Sequence, residues 1–396
     1  MGQWRRLNSL SSWFFPPLLR GVARMLARVG PRTLGWRKTR LVFRWQDVTE
    51  VLRRDNDFVI SPINAARIEA VSGPFILGMD RSERLFAQRR AAFSAMHRTG
   101  FEAVRAVLER EPKQFLAAAS LVKGRQVDIV NGYARPVAAR VAAAFFGVSG
   151  PSETDLMRVT RAVFHETFLN LTGDAAVRNR GISAGHELTG WIEAERAKRL
   201  AAGALGQDVL GALIAAEHAG EVPAADVTPV LAGLLVGAID TTATVVAHIV
   251  YEALRQPKLR LGILADIDNP HRLTGWCWEA LRRRPHNPIL LREAAVDTEI
   301  AGKSVSKGTR VFAATLSAMQ DARVFDDPAA MRPDRPMGLY LHFGAGLHIC
   351  AGRDINALQI PQLVGEVMRH SPEQISGIVS EGPFPDQLWV RLGDVL

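Results

Sequence analysis

The chain has 396 residues, 47% of them hydrophobic and 22% charged, an ordinary globular composition with room for one large domain or two medium ones. Its two cysteines, Cys277 and Cys350, exclude a disulfide framework, suit a reducing compartment, and are too few for a zinc site without recruited histidines. The formal charge of +9 is uneven: residues 1–46 hold ten Lys and Arg and no acid, leaving 39 bases against 40 acids elsewhere.

In chain order, the basic arm of residues 1–45 begins with an aromatic knot, Trp13, Phe14 and Phe15, followed by helical spacing over 17–29. Leu18, Val22, Met25, Leu26 and Val29 share one side of that helix, and Arg20, Arg24 and Arg28 line the other. The pattern fits a membrane-surface anchor. It fits equally a helix packed on the body with its arginines in water, or an Arg- and Ser-rich transit peptide. No nucleic-acid partner is expected, because no fold signature of that kind accompanies the charge. Strand signals follow at 39–43. From about residue 82 to 268 the pattern is mostly helical, with 3.6-residue periodicity at 101–121, 155–171, 183–202, 208–219 and 226–255. The most apolar stretch, 230–250, carries Asp240, Thr241, Thr242, Thr244 and His248, and so reads as a buried helix rather than a membrane span. Strands return at 289–314, notably 298–300 and 309–313. A coil through Asp326, Pro328, Pro333 and Pro336 and a helix just past Cys350 complete the pattern. Residues 46–396 thus read as a single domain, mainly α with small β-sheets.

The strongest chemical signal is the run from Phe343 through Gly344, Gly346, His348 and Cys350 to Gly352. Its glycines permit tight turns and close approach to a flat ligand. Cys350 stands just ahead of a helix start, where the dipole and unpaired N–H groups favour a thiolate. A thiolate is the ligand with which a heme iron activates oxygen. The run resembles the heme-binding loop of the cytochrome P450 family, F-G-x-G-x-H-x-C-x-G, at every defined position, a chance match of roughly one in a million.

Two further motifs lie in the family's order. Glu279 and Arg282 stand one helical turn apart, alone a common surface pair. In the family such a pair meets an arginine from a later coil, here Arg335, as a structural brace for the thiolate loop. Residues 237–242 place Asp240 and Thr241 in an apolar helix, where an acid and a hydroxyl need partners and threonine can bend the helix. They resemble the family's oxygen-activation segment, [AG]-G-x-[DE]-T-T, with Ala238 in place of a glycine. By that resemblance Thr241 hydrogen-bonds dioxygen at the iron and Asp240 relays protons to it.

The resemblance, over about residues 40–390, implies the cytochrome P450 fold, a triangular helical body plus a smaller β-rich region. It implies heme b (iron protoporphyrin IX) on Cys350, cradled by Phe343, Gly344 and Gly346. The propionates would be met by His348, Arg292 and a pair on an earlier helix. That pair reads here as Arg84 with Arg89, because Gln88 occupies the family's arginine position. Asn356 stands where the family commonly has alanine. The implied reaction inserts one atom of O2 into a hydrophobic substrate such as a terpenoid, fatty acid or polyketide. Val236, Pro288, Ile289 and Leu290, with stretches 74–77 and 164–168, would line the substrate site. Electrons would come from a separate ferredoxin-type donor with an NAD(P)H-linked reductase, since the chain has no room for a flavin or iron–sulfur domain. The expected setting is cytoplasmic, with a peripheral membrane contact open through the arm. Two alternatives stand beside this: a peroxide-using or hydroperoxide-rearranging heme-thiolate enzyme, and a heme-bound sensor or carrier. A competing G-x-S-x-G run at 181–185 lacks the preceding strand that a hydrolase elbow requires. Cys277, between Trp276 and Trp278, reads as a buried helix residue.

Overall fold

A computed structural model describes residues 21–170, 172–381 and 384–395; the aromatic knot at 13–15, Leu18, Arg20 and Leu171 lie outside the described residues. The described part is mainly helical with four small sheets. It divides into two compact units, one of residues up to Val59, Pro112–Ala134 and Ala243 onward, the other of Ile60–Glu111 and Arg135–Thr242.

The first unit carries the sheets. Thr33–Trp36 and Thr39–Val42 form a hairpin, and Thr39–Val42 runs parallel to Arg310–Ala313. Arg310–Ala313 pairs antiparallel with Leu290–Ala294, and Phe58–Val59 closes the far edge. Strands were expected at 39–43 and within 289–314, and alternation explains why those were legible: Val311 and Ala313 are buried while Arg310 and Phe312 stay partly open. The same pleat turns Arg292, opposite Val311, onto the buried face. A second sheet of Gln126–Asp128, Trp389–Arg391 and Glu373–Gln374 was not expected, because strands this short carry no readable period. Asp128 pins it, its carboxylate accepting the N–H groups of Val130 and Leu388 at 3.0 Å each. The Pro270–Arg283 and Arg353–Arg369 helices pack together in this unit, the second through fully buried Leu363, Val364 and Val367. Cys277 is a buried residue of the first.

The second unit is built from helices. Ala175–Ala202 packs on Ser61–Ser72 and on Glu153–Phe164. It begins well before the expected residue 183, because Asp174 caps it by accepting the Val177 N–H at 2.9 Å. Its first turns, 175–180, face water, so they bury no stripe that a periodicity reading could find. The 181–185 run is therefore mid-helix, and its glycines are contact points. A methyl group on Gly185 would stand 1.9 Å from the Val71 carbonyl oxygen, and one on Gly181 would stand 2.4 Å from Glu166 Cβ. Gly185→Ala is expected to cost about 1–3 kcal/mol through overpacking. Gly190→Ala, in the same helix with nothing within 4 Å, should stabilise by about 0.5–1 kcal/mol. Paired thermal melts check the opposite signs.

The helix expected at 155–171 is Glu153–Phe164 followed by a π-helical turn, His165–Leu169. That expected at 226–255 is two helices, Ala224–Val236 and Asp240–Arg255, broken at 237–239. Among the described residues, 224–255 is the one stretch long and apolar enough to cross a membrane, and it is mostly buried in the protein.

Candidate functional site

The loop before Arg353–Arg369 is wound by its own backbone. The Cys350 N–H donates to the Phe343 carbonyl and the Gly344 N–H to that of Leu341, both at 2.9 Å. Gly346 has φ +72°, and an added Cβ would stand 2.3 Å from the Leu52 carbonyl oxygen. Only glycine fits there. His348 closes a short 3-10 turn, Gly346–His348. Cys350 is a free cysteine whose side chain is open to solvent, yet enough protein surrounds it that burial pushes its thiol above the ordinary range. The Gly352 N–H and the charge of Arg353 pull the other way. Gly352 leaves space beside the sulfur, since a Cβ there would lie 3.7 Å from Sγ. No side chain caps the Arg353–Arg369 helix. An accessible thiol with an N–H donor at an uncapped helix start fits a residue that would hold heme iron through sulfur.

Glu279, Arg282 and Arg335 meet behind this loop. Glu279 and Arg282 are both 0% exposed, and the carboxylate accepts the arginine's Nε and Nη2 at 2.8 and 2.9 Å. Glu279 also accepts the Arg332 backbone N–H at 3.1 Å and the Tyr340 hydroxyl at 3.0 Å, with Arg335 Nε at 3.4 Å. Arg282 donates its remaining bonds to the carbonyls of Met319, Pro328 and Ala330. Every strong group of this buried pair is satisfied, the condition for tolerating two charges out of water. Burial beside Glu279 pushes the Tyr340 hydroxyl far up, so it stays a donor. Trp278 sets its ring edge-on to Phe343 at 5.3 Å and lies 5.0 Å from His342. Burial drives the His342 imidazole down to about 3, which makes it a neutral packing group. Tyr340 and Trp278 were not singled out from sequence; their adjacency to the Phe343 run and to Glu279 was the only signal. Arg292 is buried, with Nη1 donating to the Leu291 carbonyl at 2.7 Å. In the same unit lie Pro288, Ile289 and Leu290; a Cβ on Gly344 would stand 3.8 Å from Leu290 Cδ1.

Asp240 and Thr241 belong to the second unit. At the helix break Thr241 donates its hydroxyl to the Gly237 carbonyl and Thr242 donates to that of Ala238 at 2.7 Å, which bends the chain. Asp240 is 2% exposed. Its Oδ1 meets Arg161 Nε at 2.9 Å and Arg135 Nε at 3.0 Å. Its Oδ2 is buried with no hydrogen-bond partner among the described residues, an uncompensated acceptor that calls for a water or a ligand. Neither arginine was expected, being 105 and 79 residues away in sequence.

Arg84 corrects an expectation. Its guanidinium forks onto the buried Asp226, with Nε at 3.1 Å and Nη2 at 2.5 Å from Oδ1, so it balances that charge instead of awaiting a propionate. Arg89 lies over the Phe93 ring at 4.4 Å, has no hydrogen-bond or ion-pair partner among the described residues, and has its pKa lowered by burial. Gln88, fully buried, donates to the Pro74 carbonyl at 3.0 Å. Val236 lines a cavity of about 10 Å³ with Ile68, Phe75, Val163, Thr167, Phe168 and Gly233, room for a single water. That cavity unites residues from each of the stretches 74–77 and 164–168.

The chain is similar to known proteins in sequence and in fold. The family model described as Cytochrome P450 matches residues 186–371. A putative cytochrome P450, YjiB of Bacillus subtilis, is 32% identical over 39% of this chain and 38% of its own length. Nocardicin C N-oxygenase of Nocardia uniformis is 32% identical over 69% of this chain and 65% of its own. The chain therefore spans less than two thirds of either relative in the matched stretches. The crystal structure of CalO2 superposes with a TM-score of 0.84 at 21% identity, covering 96% of this chain and 98% of that one; at that identity the likeness is one of fold.

Proposed function

We propose that this chain, whose residues 186–371 match the cytochrome P450 family model, is a heme-thiolate monooxygenase of that family acting on a hydrophobic small organic substrate. Heme b held by Cys350 would supply reductive activation of O2, one atom going to substrate and the other to water. The observation that supports the choice of monooxygenase is Asp240, a buried carboxylate clasped by Arg135 and Arg161 and next in sequence to Thr241. Oxygen reduction consumes protons, and Asp240 with its unpartnered Oδ2 is placed to pass them on while Thr241 holds a hydroxyl at the helix break. Cys350 anchors the cofactor, with Phe343, Gly344 and Gly346 shaping the loop. His348, Arg292 and Arg89 are the cations for the propionates. The apolar residues proposed for substrate are Val236 in the second unit and Pro288, Ile289 and Leu290 in the first. A ferredoxin-type donor with an NAD(P)H-linked reductase supplies electrons, in a cytoplasmic setting with a peripheral membrane contact through the basic arm.

Turnover with ferredoxin, reductase and NAD(P)H is to be compared with turnover on peroxide, in the wild type and in Thr241→Ala. The variant should lose roughly 10²-fold of ferredoxin-driven product while keeping its peroxide-driven rate, because peroxide brings its protons with it. Equal ferredoxin-driven product from both proteins would remove the proton role, and turnover on peroxide alone would favour the peroxide-using reading.

A further inference from the structure

We propose that the outward face of residues 22–36 is a docking surface for an anionic membrane. The inference rests on the membrane contact proposed above and names the surface and the lipid charge. It begins with how the helix at 21–28 is seated. Ser317 donates to the Ala23 carbonyl at 3.0 Å, Arg24 Nε donates to Gln320 Oε1 at 3.0 Å, and Arg323 donates to the carbonyls of Ala27 and Arg28 at 2.8 and 3.3 Å. These bonds press Ala23 and Ala27 into the first unit, Ala27 being 0% exposed.

This seating departs from the reading of a helix packed on the body by its apolar stripe with its arginines in water. A surface helix normally buries its long apolar side chains, yet here the alanines are buried and the larger residues are not. Val22, Met25 and Val29 are 39%, 55% and 75% exposed. Arg24, expected in water, is turned inward to Gln320. The next element repeats the pattern: on the edge strand Thr33–Trp36, Leu34 and Trp36 are 46% and 74% exposed. The Arg37 guanidinium covers the Trp36 ring at 5.0 Å, and Lys38 beside it is exposed. Branched apolar residues, an exposed tryptophan and cations together are the composition of an interfacial surface.

Charge selects the occupant. Residues 1–46 carry ten cations and no acid, against a balance of 39 bases and 40 acids in the rest. A second copy meeting this face through the same face would bring two such arms together. An anionic bilayer attracts the exposed cations of this face, Arg28, Arg37 and Lys38.

The test uses the heme-loaded full chain with vesicles of phosphatidylcholine, with and without phosphatidylglycerol, read by co-sedimentation. The wild type should bind the phosphatidylglycerol vesicles at least about tenfold more strongly than the neutral ones. Met25→Ser with Val29→Ser should lower binding about tenfold or more, and Arg28→Gln with Arg37→Gln should shrink the preference for phosphatidylglycerol. Unchanged heme content and far-UV circular dichroism verify that these exposed substitutions leave the fold intact. Undiminished binding by the Met25 and Val29 variant overturns this surface while leaving the arm's membrane contact standing. Absence of wild-type binding overturns both. Concentration-dependent dimers abolished by the same substitutions would assign the face to a second copy and overturn the membrane as its occupant.

Discussion

Glu279→Ala is expected to destabilise the protein by about 3–5 kcal/mol, the usual cost of removing one partner from a buried ion pair. The magnitude follows from what is left behind. Arg282 is fully buried, and its other donors go to neutral carbonyls, so its charge would remain out of water with no counterion. Arg335, Tyr340 and the Arg332 N–H would lose the same acceptor. A typical domain has only about 5–15 kcal/mol in all, so a third or more of the stability is at stake. The coil freed by the substitution leads into the Cys350 loop, and heme occupancy should fall with it. Glu293→Ala provides the contrast: its pair with Arg310, at 3.0 Å, is partly exposed, and its loss should cost at most about 1 kcal/mol. Urea unfolding of the two variants, with heme content measured on each, separates a buried brace from a surface pair. Equal midpoints would contradict the bracing role.

Cys350→Ser is expected to take oxygen-dependent turnover to background while leaving the loop folded. The backbone bond from residue 350 to the Phe343 carbonyl does not involve the side chain, and serine is nearly isosteric. What changes is the ligand. A serine hydroxyl does not ionise under conditions where a metal-bound thiol does, so the electron-donating anion is lost. Gly346→Ala tests the same loop by another route. It retains the thiol but forces a Cβ against the Leu52 carbonyl in a left-handed conformation, so its loss of heme should come with a loss of stability that Cys350→Ser lacks. If the two variants are indistinguishable by melting and by heme content, the division between ligand and scaffold is wrong.

What was legible in the sequence was whatever is contiguous. The Cys350 loop and the Asp240–Thr241 segment are written in single runs, and Glu279 with Arg282 is a one-turn spacing. Groups assembled by tertiary folding left no such mark. Arg135 and Arg161 reach Asp240 from distant helices, and the link between Arg84 and Asp226 spans 142 positions. For Arg84, alignment to a pattern suggested a cofactor contact where charge balance had already given it a partner. The large helices were readable by period, except the water-facing opening of Ala175–Ala202, and the two- and three-residue strands near the carboxyl end were not. The seating of the 21–28 helix was illegible for a different reason: its apolar stripe was visible, but which face the body would take depended on Ser317, Gln320 and Arg323.

The most direct measurement is the absorption spectrum of the purified, reduced protein under carbon monoxide. Heme ligation by the Cys350 thiolate predicts a strongly red-shifted Soret band in the wild type and its absence in Cys350→Ser. Heme bound without that shift, or a shift that survives in Cys350→Ser, would contradict the assignment of Cys350 as the ligand.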